Sequence, residues 1–132
     1  MHAYALVAAM VLVAACRAPA SPSVPLGQTF TLAPDATEVI EDTGLSVQFL
    51  GVSEDSRCPI NAVCVWAGNA IVQLRVRESR SSVDYELHTF ESSRRSVRHG
   101  SFVIQLVNVL PIPFGGVPTP RADYRATLTV TN

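Results

Sequence analysis

An enzyme needs a nucleophile beside a base, a working pair of carboxylates, or a set of metal ligands, and the 132-residue chain offers few such combinations. Beyond residue 15 only two histidines remain, His88, expected to point outward from a strand, and His99, expected in a loop. Serines are plentiful, but there is no Gly-x-Ser-x-Gly elbow, no His-x-x-x-His and no phosphate loop. Glu54, Asp55 and Asp42 could meet a hard cation such as calcium, which takes six or more oxygen ligands. Adjacent acids are common on loops, however, and no EF-hand or repeated Asp-Gly pattern accompanies them. Catalysis is not expected, and no metal or other cofactor is.

The three cysteines, Cys16, Cys58 and Cys64, carry more information. Zinc would need four ligands, and Cys58 and Cys64 stand alone without a second Cys or His pair nearby. Their spacing, with five residues between them rather than two, also departs from that of a dithiol redox centre. The segment ahead of Cys16 has no acidic residue, Lys or Arg, and Ala3 to Ala15 is an almost unbroken apolar run. At about 13 residues that run is too short to span a bilayer, which takes about 20, but it matches the apolar region of a secretory signal peptide. Export follows.

The run ends Leu12-Val13-Ala14-Ala15-Cys16, which resembles the lipobox of bacterial lipoproteins: an aliphatic residue, two small residues and a cysteine. The resemblance implies diacylglyceryl transfer to the Cys16 sulfur, cleavage after Ala15, and palmitate-type acyl chains holding the protein to a membrane. Arg17, where a retention signal would place Asp, implies the outer membrane in a Gram-negative cell. The chain departs from the family in having only Met1 and His2 where a Lys or Arg is usual, and a signal peptide cut after Ala18 or Ala20 is the alternative. With Cys16 taken as the lipid acceptor, Cys58 and Cys64 remain as one pair in an oxidising compartment, so a disulfide is expected.

Hydrophobic patterning then divides the chain into a signal peptide over residues 1–15, a lipidated tether rich in Pro, Ala and Ser over 16–27, and a domain over 28–132. In the domain, apolar residues alternate with polar ones at the period of half-buried strands. Phe30 and Leu32 alternate with threonines, and Leu45, Val47 and Phe49 with Ser46 and Gln48. Ala70 to Val76, Val83 to Leu87 and Tyr124 to Val130 follow the same rule. Thr37 to Ile40 is expected to pair with the Leu45 strand across Glu41-Asp42-Thr43-Gly44. Phe102 to Leu110 is apolar on nearly both faces and is expected as a central strand covered on both sides. About seven short strands without a capped helix predict an all-β, immunoglobulin-like two-sheet β-sandwich, with a small β-barrel as the alternative.

Two stretches between strands are candidates for contact. Asp55-Ser-Arg-Cys-Pro, four residues, then Cys64-Val-Trp-Ala-Gly resembles a pattern of small uncharacterised bacterial envelope proteins, and that resemblance brings no activity with it. A bridged loop would present Pro59, Ile60, Asn61, Ala62 and Val63, with Trp66 just beyond; either Trp66 and Val65 plug the end of the sandwich, or the loop is a rigid recognition element. Pro111 to Pro120 is rich in Pro and Gly yet carries Ile112, Phe114 and Val117, which either fold back over the core or anchor a partner. Arg94, Arg95, Arg98 and His99 are expected as a solvated basic loop or as a contact for anionic headgroups.

The formal net charge of −1 gives no basic excess of the kind nucleic-acid binding needs, so no nucleic acid is expected. All ten basic residues are Arg, as G- and C-rich codons would dictate, and eight of them lie beyond Asn69. The expectation is a non-enzymatic binding or scaffolding module of the cell envelope, anchored through Cys16, with an envelope protein as possible partner. The expected contact residues are Trp66, Pro59, Ile60, Phe114 and Ile112. A protease inhibitor offering residues 58–64 as an extended loop, and a small-ligand or metal binder, are the alternatives.

Overall fold

A computed structural model describes residues 22–132; the stretch expected as a signal peptide, Cys16 and the expected tether up to residue 21 lie outside the described residues. Nine strands form two sheets: β1 (Ser23–Val24), β2 (Thr29–Leu32), β3 (Thr37–Ile40), β4 (Leu45–Asp55), β5 (Ala70–Glu78), β6 (Ser81–His88), β7 (Ser96–His99), β8 (Phe102–Leu110) and β9 (Arg125–Thr131). One sheet has five strands in the order β1-β3-β4-β5-β6, and the other has four in the order β2-β9-β8-β7. Neither sheet closes into a barrel. Pairing is antiparallel except between β1 and β3, and β1 lies within the stretch expected as tether.

Alternation is what brings the sheets together. Leu45, Val47 and Phe49 of β4, Val72, Leu74 and Val76 of β5, and Leu87 of β6 bury one face of the five-stranded sheet. Ile104, Leu106 and Val109 of β8 and Ala126, Leu128 and Val130 of β9 answer from the other, and all belong to one core. Each of the larger of these side chains contributes roughly 1.5–3 kcal/mol on leaving water, so this core is the main source of stability. The expected hairpin between β3 and β4 is present, with Thr37 opposite Gln48 and Ile40 opposite Leu45.

Three expectations are corrected. β8 is central in its sheet but covered on one face only, since Val107 and Leu110 are exposed. Of the stretch expected as a basic loop, Arg94 and Arg95 lie in the connection ahead of β7 while Arg98 and His99 belong to β7 itself, where His99 is buried. Arg95 is committed to the backbone, donating to the carbonyls of Leu106, Thr89 and Val107 at 3.0–3.1 Å. His88 is buried rather than outward, with Nδ1 2.8 Å from the Asn69 amide nitrogen.

The two ends of the domain differ. At one end the chain reverses in tight connections, 25–28, 41–44, 79–80 and 100–101, where Asp42, Gly44, Ser79 and Gly100 take positive φ. At the other end lie the long loops 56–69, 89–95 and 111–124, together with the short connection 33–36.

Candidate functional site

The loop end is built on a bend in β4. Register shifts between Phe49 and Gly51 and between Val52 and Glu54 mark bulges, which strengthen local twist. Beyond them Asp55 accepts hydrogen bonds from Arg57 Nε at 2.8 Å and Nη2 at 2.7 Å and from the Tyr124 hydroxyl at 3.0 Å. Arg57 Nη1 also donates to Val109 O at 2.6 Å and Nη2 to Pro111 O at 2.8 Å. One guanidinium thus fastens the start of loop 56–69 to the start of loop 111–124. Asp55 is occupied by this pair, and among the described residues no cluster of three potential metal-ligating side chains occurs.

Burial alone would raise the Asp55 carboxyl, but the hydrogen bonds and charge of Arg57, helped by Tyr124, outweigh it and hold the group below the usual carboxylate range. Tyr124 is pushed the other way, first by burial and then by the neighbouring Asp55 carboxylate.

Cys58 and Cys64 are disulfide-bonded, with Cα atoms 5.9 Å apart. Within the bridge the Ala62 amide donates to Pro59 O at 3.1 Å, which closes a turn in the loop that the inhibitor alternative would have extended. Two further bonds tie the bridged loop to its neighbour: Ile60 N to Pro113 O at 2.9 Å, and Gly115 N to Asn61 Oδ1 at 2.7 Å. The base is closed by Ser56 N to Asn69 O at 2.7 Å and Cys58 N to Ala67 O at 2.9 Å. Gly68 sits there at φ +71°, where a Cβ would overlap the Ser56 carbonyl, so both conformation and space demand glycine.

Trp66 and Val65 do not plug the sheets. Trp66 is 55% exposed and meets Phe90, itself half in water, edge to face with ring centroids 5.4 Å apart. Val63 and Val65 are fully exposed. The 111–120 stretch likewise fails to fold over the core: Ile112, Phe114 and Val117 are all more than half exposed, and a tight turn pairs Phe114 with Val117. The structure brings Ile60 and Ile112 together, with Leu110, in an open groove of about 670 Å³ that Asp123 and Arg125 border. Phe114 lines a smaller hollow of about 190 Å³ beside it. Pro59 is half-buried, and Trp66 is not part of the groove.

Phe90, Leu110 and the bracing role of Arg57 belong to this end and were not among the expected contacts. The Asp-x-Arg spacing at 55 and 57 was the available signal for the ion pair; nothing local marked Phe90 as the partner of Trp66. Among the described residues no helix is long and apolar enough to cross a membrane.

The chain matches no family model, no curated protein and no solved structure. The reading of its function therefore rests on the residues and the geometry.

Proposed function

We propose that this protein is a lipid-anchored, non-enzymatic module of the bacterial cell envelope that makes its contacts through the loop end of an immunoglobulin-like β-sandwich. The observation that carries the reading is the concentration of exposed apolar side chains on loops braced by the Cys58–Cys64 bridge, the Arg57 contacts and the Asn61 bond. A braced loop loses little conformational freedom on contact, which favours binding. Exposed apolar clusters of this kind mark interaction surfaces. The Leu12-Val13-Ala14-Ala15-Cys16 motif supports export and attachment, and a domain carried outside the cytoplasm agrees with an oxidised pair at Cys58 and Cys64.

Metabolic labelling with an alkyne palmitate analogue tests the anchor. The wild-type chain should incorporate label and sediment with membranes, and Cys16→Ser should do neither. A Cys16→Ser protein that is still labelled and membrane-bound would overturn the reading.

A further inference from the structure

Strand register fixes the side from which the anchored segment approaches the domain. β1 runs parallel to β3 with Ser23 beside Val39, and Val39 in turn faces Ser46 of β4. Because β4 runs from Leu45 toward Asp55, the chain preceding Ser23 arrives from the direction of the long loops. Cys16 is seven residues before Ser23, which at full extension is at most about 25 Å of chain. From Ser46 to Asp55, β4 rises by about 30 Å, less what its bulges take up. An extended connection thus brings Cys16 roughly level with Asp55, and only the loops lie beyond that level.

We infer that the loop end rests on the bilayer that holds the Cys16 lipid, with Trp66, Val63, Val65, Ile60, Ile112 and Phe114 seated between headgroups and acyl chains. The inference depends on the lipid anchor proposed above and names what covers its contact surface. Composition separates the two ends. The tight turns expose Gln28, Glu41, Asp42, Ser79 and Arg80, with Leu26 their one large exposed apolar side chain among the described residues. Trp is a residue of choice at such a boundary, because its ring is apolar and its N–H seeks a polar neighbour.

Charge decides the mode of contact. At the loop end Arg94, Arg95 and Arg125 stand against Glu54, Glu91 and Asp123, while Arg57 is paired with Asp55 and Arg121 with Asp35. With no positive excess, attraction to anionic headgroups is not the driving force; burial of apolar loop tips is. The short connection lets those tips reach the interface.

The single tryptophan makes the test direct, since all indole fluorescence comes from residue 66. Full-length lipidated protein, extracted in mild detergent, is reconstituted into phosphatidylcholine vesicles with and without brominated acyl chains. Trp66 emission should be blue-shifted, shielded from acrylamide and quenched about twofold or more by the brominated lipid. These signals should survive about 1 M salt, where charge contacts are screened. A Val63→Asp/Val65→Asp variant, altered at side chains outside the core, should lose most of the quenching and still float with the vesicles through Cys16.

Three results overturn the inference, and they are distinguishable. Protein that floats while Trp66 stays open to acrylamide and unquenched keeps the anchor and loses the docking. Trp66 shielded from acrylamide but unquenched by brominated lipid assigns the surface to a protein, whether a partner or a second copy. Protein that fails to float with vesicles removes the anchor and the docking together.

Discussion

Arg57 holds Asp55 through both carboxylate oxygens, at 2.8 Å from Nε to Oδ1 and 2.7 Å from Nη2 to Oδ2, and the two side chains are only 13% and 10% exposed. Such a pair is sensitive to the loss of one member, because the other is left buried without its counter-charge. Arg57→Ala should therefore cost about 3 kcal/mol, read from urea denaturation, and should loosen both long loops. A loss under about 1 kcal/mol, the range of surface pairs, would show that the pair is solvated in solution.

Acid stability follows from the same carboxyl. Its folded pKa lies below the unfolded value of about 3.9, so the unfolded chain binds the proton more readily. The resulting stability is present above about pH 4 and is lost as pH falls through the folded value. Asp35 beside Arg121 and Asp84 beside Arg75 are lowered too, but they are exposed and contribute little. Asp55→Asn should thus flatten most of the acid limb of a stability–pH curve. Tyr124 has the opposite sign: its raised pKa keeps its contribution intact below about pH 10 and loses it above, so Tyr124→Phe should flatten the alkaline limb.

Reducing the Cys58–Cys64 bridge opens a loop of only seven residues, for which chain entropy gives about 2 kcal/mol. Hydrogen bonds at Ile60, Asn61 and Cys58 hold the loop independently of the sulfurs. The reduced protein should keep a cooperative melt with a lower midpoint and unchanged far-ultraviolet dichroism. Loss of the melt on reduction would mean that the bridge supports the sheets themselves.

Two glycines with the same φ of +71° separate strain from crowding. At Gly44 an added Cβ meets nothing within 4 Å, so Gly44→Ala pays only for left-handed backbone, about 1 kcal/mol. At Gly68 the same methyl collides with the Ser56 backbone, so Gly68→Ala should cost at least about 3 kcal/mol by denaturation and shift the Trp66 emission. Equal costs at the two sites would show that loop 56–69 can slide away from Ser56.

Period-two alternation was legible in the sequence wherever one strand face is buried, as at Leu45, Val47 and Phe49, because burial on one side is the pattern's cause. It failed where that cause is absent. Ser23–Val24 and Ser96–His99 are too short to show a period, and pairing with β3 and β8 defines them. His88 falls on an outward step of β6, yet its ring is covered and bonded at Asn69, 19 residues earlier in the chain and so invisible to local pattern. At the site, the disulfide followed from cysteine count and export. The exposure of Trp66, Ile112 and Phe114 did not, because an apolar residue in a loop reads alike whether it turns in or out.

The four-stranded sheet joins the two ends of the folded chain: Thr29–Leu32 of β2 lie against Ala126–Thr129 of β9, with the Thr31 and Thr127 hydroxyls 2.8 Å apart. Contacts of such long sequence separation form late, since nearly the whole chain must be ordered around them. In its sheet β2 has β9 as its sole neighbour, so it gains a hydrogen-bonded partner only once residues 125–131 are in place. Completion of the four-stranded sheet thus waits on the last strand of the chain, a dependence written into strand order.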